Sequence, residues 1–412
     1  MSTSTESVSI NKMKYRKNPK NGDNLSILGF GCMRFGGTEA NKAFSGRFDR
    51  RKAEDLIIAA IDKGVNYFDT AYMYPGSEDV LGKTLAKHGL REKVYVATKL
   101  PLIFCRKKAD LDKYFHRQLE RLQTGYIDYY LLHMLSDTKT WATLLEWGIE
   151  SWIREKKAAG QIKQIGFSYH GSRDEFLSLL DVYDWDFVLI QYNYSDENYQ
   201  AGVAGLKKAA SKGIPVMIME PLLGGQLATG LSQAAVSRFQ KTNPDRTPAA
   251  WALRWVWDKP EVTLLLSGMN EMGQLDENIR IAETASPNML SQEEMEAFQD
   301  VKKIFNESYK IHCTGCHYCM PCPHGVNIPV CFTAYNTYFS LSKETASLQY
   351  SMSTLLSQKP GYASLCKKCG KCETLCPQHI PIAASLSEVK KTMETLKFKL
   401  MRFITKFFLK KK

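Results

Sequence analysis

From about residue 25 onward, short runs of β-branched and aromatic residues alternate with longer stretches whose apolar positions recur every three to four residues. The short runs read as strands: SILGFGC (26–32), VNYFDTA (65–71), KVYVATKL (93–100), YIDYYLLH (126–133), IKQIGFS (162–168), FVLIQYN (187–193), IPVMIME (214–220) and VTLLLSG (262–268). Most are apolar at consecutive positions, the pattern of parallel strands covered on both faces. RRKAEDLIIAAIDKG (50–64) and AGLKKAASKG (204–213) exemplify the intervening helices, each ended by a glycine C-cap. Ahead of them, MKYRKNPKNGDNLSIL (13–28) holds an Asn-Gly turn signal between two extended stretches and predicts a small hairpin. Eight strand–helix units over about 265 residues predict a (β/α)8 TIM barrel. A doubly wound sheet is the alternative, but GFGCMRFGG lacks the G-x-G-x-x-G spacing that would follow its first strand. SQEEMEAFQDVKKIFNES (291–308) predicts a surface helix, after which the barrel pattern stops.

Catalytic residues of such barrels stand at the C-terminal ends of the strands. The second strand ends in FDTAYMYPGSE, giving Asp69 and Tyr74; the third ends in ATKLP, giving Lys99; the fourth ends in YLLHML, giving His133. A phenol with an ordinary pKa of about 10 is a slow proton donor at neutral pH. A neighbouring ammonium favours the phenolate and brings the phenol toward the working range. Asp69 would hold Lys99 in place and charged, and His133 would hydrogen-bond a substrate carbonyl oxygen. Any one of these residues alone would read as a helix cap or a surface pair; four on successive strand ends point to a site.

On these residues the sequence resembles the aldo-keto reductase family. The resemblance covers about residues 14–285 and rests on DTAYMYPGSE (69–78), Lys99, DYYLLH (128–133), GFS (166–168), QYN (191–193), EPLLGG (220–225) and QLDEN (274–278). It implies that Tyr74 is the general acid, assisted by Asp69, Lys99 and His133, with a nicotinamide cofactor across the barrel mouth. It further implies that Ser168 and Gln191 hold the carboxamide and that Pro221 and Leu222 follow the pyrophosphate. Gly268, Gln274 and Asn278 would lie near the adenosine end. Tyr169 stands where many members have Asn, Met219 where many have a stacking Tyr, and Gln274 where many have an Arg for the 2′-phosphate of NADP. The last difference leaves NADH and NADPH both open. His133, rather than Glu, favours reduction of C=O over C=C.

The cysteines change the picture of the C-terminal quarter. Of 11 in the chain, only Cys32 and Cys105 precede residue 310. The first dozen residues lack the apolar core of a signal peptide, and no segment reaches the ~20 apolar residues of a membrane span, so a cytoplasmic protein is expected. In a reducing compartment, clustered cysteines bind metal or do redox chemistry more often than they form disulfides. Cys366, Cys369, Cys372 and Cys376 follow C-x2-C-x2-C-x3-C-P, the bacterial ferredoxin run whose fourth cysteine serves the other of two clusters. Cys313, Cys316, Cys319 and Cys322 follow the same run with its last gap one residue short. On this logic one 4Fe–4S cluster takes Cys313, Cys316, Cys319 and Cys376, and the other takes Cys366, Cys369, Cys372 and Cys322. A zinc site from paired knuckles and a single cluster are the alternatives. The region resembles the helical two-cluster ferredoxin-type module that follows the barrel in some aldo-keto reductases of anaerobic microbes, with GVNIP (325–329) and HIPI (379–382) marking two similar halves. Cys331 reads as core packing, Cys32 and Cys105 as bland residues near the barrel mouth, and His312, His317 and His324 as surface residues.

The expected organisation is an N-terminal extension and hairpin (1–24), the barrel (25–290), a small, mainly helical, ferredoxin-like iron–sulfur domain (291–385) and a basic amphipathic tail (386–412). That tail carries nine Lys/Arg against two Glu and so supplies seven of the chain's net +12 charges. The remainder is only mildly basic and shows no nucleic-acid motif. On a helix, Leu400, Ile404, Phe407 and Phe408 would share a face among cations. This suits weak peripheral contact with an anionic membrane, an acidic partner such as ferredoxin, or an ordinary terminal helix with a solvated basic end.

The leading functional expectation is an NAD(P)H-dependent oxidoreductase that interconverts a small-molecule carbonyl and its alcohol. Its two-cluster appendage would serve a redox partner, sense redox state or hold the tail folded. The alternative is an electron-transfer protein whose barrel serves as a nicotinamide or partner docking module.

Overall fold

Strands β3 (Leu28–Gly31), β4 (Tyr67–Asp69), β5 (Tyr95–Leu100), β6 (Ile127–Leu132), β7 (Ile162–Ser168), β8 (Phe187–Gln191), β9 (Val216–Met219) and β10 (Val262–Ser267) pair in parallel, each with the next, and β10 returns to β3. The computed structural model describes residues 13–35, 48–313, 319–355, 360–376 and 378–409. All eight strands coincide with the expected runs, trimmed at the ends, and form the closed (β/α)8 barrel. The pleat sends alternate side chains to opposite faces. Tyr67, Ala97, Tyr129, Leu131, Phe187, Leu189, Met217, Leu264 and Leu266 fill the lumen. Their neighbours Phe68, Val96, Tyr130, Leu132, Val188 and Ile190 pack outward beneath the helices. At Gly166 the strands approach so closely that a Cβ would stand 2.3 Å from the Phe187 carbonyl oxygen.

The hairpin of β1 (Tyr15–Lys17) and β2 (Asn24–Ser26) is antiparallel and turns at Gly22, whose φ is +81°. It plugs the N-terminal end of the barrel. Leu25 joins the luminal cluster, Asn18 donates to the Tyr129 hydroxyl at 3.1 Å, and that hydroxyl donates to Asp23 at 2.6 Å. The end that receives the functional residues is the other one.

The helix Gln292–Ser308 differs from a mere surface helix. Its apolar residues Ala297, Phe298, Val301 and Phe305 belong to the barrel's own core, with Phe298 edge-on to Trp251 and Phe239. Core membership changes near residue 309 rather than at 290. A second core, including Ile311, Val326, Ile328, Phe332, Tyr350, Leu386, Val389, Met393 and Phe398, lies among the helices Ile328–Ser340, Lys343–Leu355, Ile382–Met393 and Leu396–Leu409. The first part of the expected tail is therefore integral to this helical module. The module leans on the segment after β8: Thr333 donates to Asp196 at 3.4 Å, and the Tyr199 and Ser353 hydroxyls meet at 2.9 Å. Among the described residues, no helix is long and apolar enough to cross a membrane.

Candidate active site and thiol cluster

The register of β4, β5 and β6 decides which polar residues meet. Tyr67, Ala97, Tyr129 and Leu131 face the lumen, so Asp69, Lys99 and His133, each an even step further on, take the same parity at the rim. Asp69 pairs with Ala97 and Lys99 with Leu131. The Lys99 ammonium donates to Asp69 Oδ1 at 2.5 Å and to the Thr70 carbonyl at 2.8 Å. It stands 5.0 Å from the centre of the Tyr74 ring, near enough for the ammonium and the phenol to shift each other's pKa. Tyr74 arrives on the turn after β4, where its N–H donates to the Ala71 carbonyl and its own carbonyl accepts from Ser77. The His133 ring meets Tyr74 edge to face, centroids 6.1 Å apart. All four expected catalytic residues thus converge on one rim.

Burial governs the electrostatics of this group. It works to lower the Lys99 ammonium, but the Asp69 carboxylate and the Tyr74 phenol outweigh it and hold the pKa above its ordinary value. Burial raises the Tyr74 phenol; Lys99 pulls it down and Asp69 and Glu220 oppose that pull, leaving it above 10.0. The simple expectation of a phenol acidified by its ammonium neighbour does not hold in the free barrel, because desolvation of a phenolate costs more than one nearby cation returns. Burial, then Lys99 and His170, drive His133 well below its usual range, so its imidazole is neutral. His133 Nδ1 and Asp69 Oδ2 are buried with no protein partner.

Beneath the rim lies a network that sequence reasoning did not single out. Glu78 accepts from the Thr98 hydroxyl (2.6 Å), from Gln118 (2.7 Å) and from Arg121 (3.1 Å). Gln118 also donates to the Lys99 carbonyl at 3.1 Å and accepts from the Tyr130 hydroxyl at 2.7 Å. These bonds hold β5 on both sides of Lys99. Glu78 lies within the DTAYMYPGSE motif, but its role depends on Gln118, forty residues away, and no local signal connects them.

The expected cofactor residues line the same mouth. Ser168, Gln191 and Gly268 continue the luminal parity of β7, β8 and β10. The Ser168 hydroxyl accepts from the Met134 N–H at 2.9 Å, which leaves its own proton to donate. Pro221 and Leu222 open a turn in which Glu220, Leu223, Gly224 and Gly225 all have positive φ, a backbone that turns successive N–H groups to one side. Arg34 lies across this turn: a Cβ on Gly224 would meet its guanidinium at 3.2 Å, and one on Gly268 its aliphatic stem at 3.1 Å. Burial lowers the Arg34 guanidinium while Glu220 and Tyr74 act the other way. Barrels commonly bind phosphate in the loops after their last two strands, so a guanidinium there, with inward Ser168 and Gln191, fits a dinucleotide. Gln274 caps its own loop by accepting from the Asn270 N–H at 2.9 Å, and Asn278 donates to Ser267 at 3.0 Å from a buried position. Arg34 and the Gln200 amide 3.3 Å from the His170 ring carry no local signal in the sequence; Glu220 falls within EPLLGG, but nothing there connects its charge to Arg34.

In the helical module, Cys322, Cys366, Cys369 and Cys372 line one cavity together with Pro323 and His324. This is the set expected when the last cysteine of one run crosses to the other run. Lys368, with φ of +54°, turns its N–H onto the Cys366 sulfur at 3.4 Å. Among the described residues no three Cys, His, Asp or Glu converge as a single ion requires; the thiols ring a space instead. The donor set fits a 4Fe–4S cluster, which holds its thiolates at separate corners. For the other expected set, Cys313, Cys319 and Cys376 are half-buried against the module's core, and Cys316 lies outside the described residues, as does His317. Cys331 is fully buried and its thiol donates to the Gly361 carbonyl; burial raises it far above the usual thiol range. Cys32 and Cys105 are buried thiols.

A closed parallel barrel with a Tyr–Lys–Asp–His rim, followed by a thiol-ringed helical module, defines an oxidoreductase with an iron–sulfur appendage. The chain belongs to the aldo/keto reductase family, whose model matches residues 27–303, and the model of a 4Fe-4S dicluster domain matches residues 312–380. Among curated relatives, Protein tas of Escherichia coli is 27% identical over 333 residues, covering 65% of this chain and 92% of its own. The NADH-specific methylglyoxal reductase of Escherichia coli is 26% identical, covering 62% of this chain and 89% of its own. Among solved structures, the aldo-keto reductase AKR11C1 of Bacillus halodurans, in its holo form, aligns with a TM-score of 0.55 at 26% identity, covering 70% of this chain and 96% of its own.

Proposed function

We propose that the protein is an NAD(P)H-dependent carbonyl reductase of the cytoplasm, with two 4Fe–4S clusters in its C-terminal module. The observation that carries this reading is the Lys99 ammonium, bonded at once to Asp69 and the Thr70 carbonyl and standing 5.0 Å from the Tyr74 ring at the rim. The nicotinamide, when bound, supplies the hydride to the carbonyl carbon. Tyr74 gives its proton to the carbonyl oxygen. Its raised pKa keeps that proton on the phenol at neutral pH, and Lys99 stabilises the phenolate left behind. His133, neutral and with one N–H, orients the carbonyl oxygen by hydrogen bonding. Asp69 and Thr70 keep the ammonium in place through the step.

Ser168 and Gln191 are proposed to grip the carboxamide, Pro221, Leu222 and Arg34 the pyrophosphate, and Gly268, Gln274 and Asn278 the adenosine end. Gln274 in place of the usual Arg accords with a relative named as NADH-specific, and parallel assays with NADH and NADPH measure the preference. The crossed sets Cys313, Cys316, Cys319, Cys376 and Cys366, Cys369, Cys372, Cys322 would hold the clusters. Hydride transfer moves two electrons together, so the reduction itself does not call on them. A small-molecule carbonyl or alcohol is the substrate class, with ferredoxin or a similar carrier as a redox partner. Tyr74→Phe tests the reading: kcat/KM for carbonyl reduction should fall at least about a hundred-fold with iron and sulfide content unchanged. Turnover that survives this change would return the barrel to a docking role.

A further inference from the structure

The C-terminal helix Leu396–Leu409 has two apolar faces, and the module covers only one. Phe398 and Thr405 are buried and Met401 half-buried on the inner face, where Phe398 packs on Tyr350 and Tyr362. On the outer face Leu396, Leu400, Phe403 and Ile404 are 83%, 62%, 71% and 44% exposed. At about 100° per residue these four span an arc of about 100°, the width of a stripe that normally faces a core. Exposed Lys397 borders one edge and exposed Lys399 the other. An ordinary solvated terminal helix would place its polar residues where these apolar ones stand.

We propose that this outer face seats the protein in the plane of an anionic phospholipid surface. The stripe is a convex ridge, which a fluid bilayer accommodates without a matching groove. The cations on both edges reach headgroups when the ridge lies at the acyl boundary. Residues 386–412 carry nine Lys/Arg against two Glu, with Lys410–Lys412 at the end of the chain, the charge pattern that anionic leaflets attract. The helix is too short and too charged to cross, so it lies on the surface.

Flotation of the full-length holoprotein tests this, with vesicles of phosphatidylcholine alone and of phosphatidylcholine containing phosphatidylglycerol. Wild type should float with the anionic vesicles only, and less so as salt rises. Leu400→Glu with Phe403→Glu should weaken partition at least about thirty-fold, with carbonyl reduction and iron content unchanged. Lys397→Gln with Lys399→Gln should weaken it about twenty-five-fold, near fivefold for each cation. Wild type that stays at the bottom of the gradient, or both double variants floating like wild type, overturns the proposal. So does an oligomer on gel filtration that only Leu400→Glu with Phe403→Glu dissolves while wild type ignores vesicles, because a second copy would then cover the stripe.

Discussion

Replacing Lys99 by methionine keeps most of the side chain's length and removes its charge. The ammonium is 1% exposed and its partner Asp69 5%, so the change leaves a carboxylate buried without its counter-ion. Breaking one member of a buried pair costs about 3–5 kcal/mol, and the Thr70 carbonyl loses its donor as well. All seven tryptophans lie between residues 141 and 257, so their fluorescence in urea follows the barrel and not the module. Lys99→Met should lower the barrel's unfolding free energy, read from the urea midpoint and slope, by an amount in that range. Turnover should drop by at least about a thousand-fold, because nothing then stabilises the phenolate of Tyr74. Adding Asp69→Asn removes the stranded charge. The double variant should regain about 2 kcal/mol of the lost stability and no activity. The reasoning fails if the two changes destabilise additively, or if Lys99→Met alone keeps turnover within tenfold of wild type.

Acid should loosen the contact between barrel and module, where the Gln200 amide meets the His170 ring at 3.3 Å and donates to Ser353 at 3.4 Å. Burial lowers His170 to about 4, with the Gln200 amide working the other way. The unfolded chain therefore binds a proton between about pH 6.5 and 4 that the folded one refuses, and stability falls as pH drops through that window, by up to about 3 kcal/mol. His170→Asn should flatten that part of the pH–midpoint curve. Cys322→Ala and Cys366→Ala should each cut iron from about eight to about four per chain and leave the same residual cluster spectrum. Cys376→Ala should leave the other; matching spectra for Cys322→Ala and Cys313→Ala would refute the crossing. Gly166→Ala, with its Cβ driven against the Phe187 carbonyl, should lower the barrel's unfolding free energy by about 1–3 kcal/mol.

Strand order, the identity of the rim residues and the cysteine runs were legible from local pattern. Each depends on spacing within a few residues, and a parallel barrel brings consecutive strand ends together without further information. The network under Lys99 was not legible, since Glu78, Thr98, Gln118 and Tyr130 meet only across four elements. The amphipathic pattern of Gln292–Ser308 says that one face is buried but not against which core; only the packing puts that face on the barrel.

The chain's periodicities therefore settle that a closed barrel forms, that Asp69, Tyr74, Lys99 and His133 reach one end of it, and that thiols gather after residue 310. Only the folded molecule decides the protonation of that rim. Water is excluded by side chains distant in sequence, and the balance between burial of Tyr74 and attraction by Lys99 is a three-dimensional sum. The packing also decides which side of the last helix is covered, since the inner face is chosen by Tyr350 and Tyr362 and the leftover apolar stripe has no signature of its own until that choice is made.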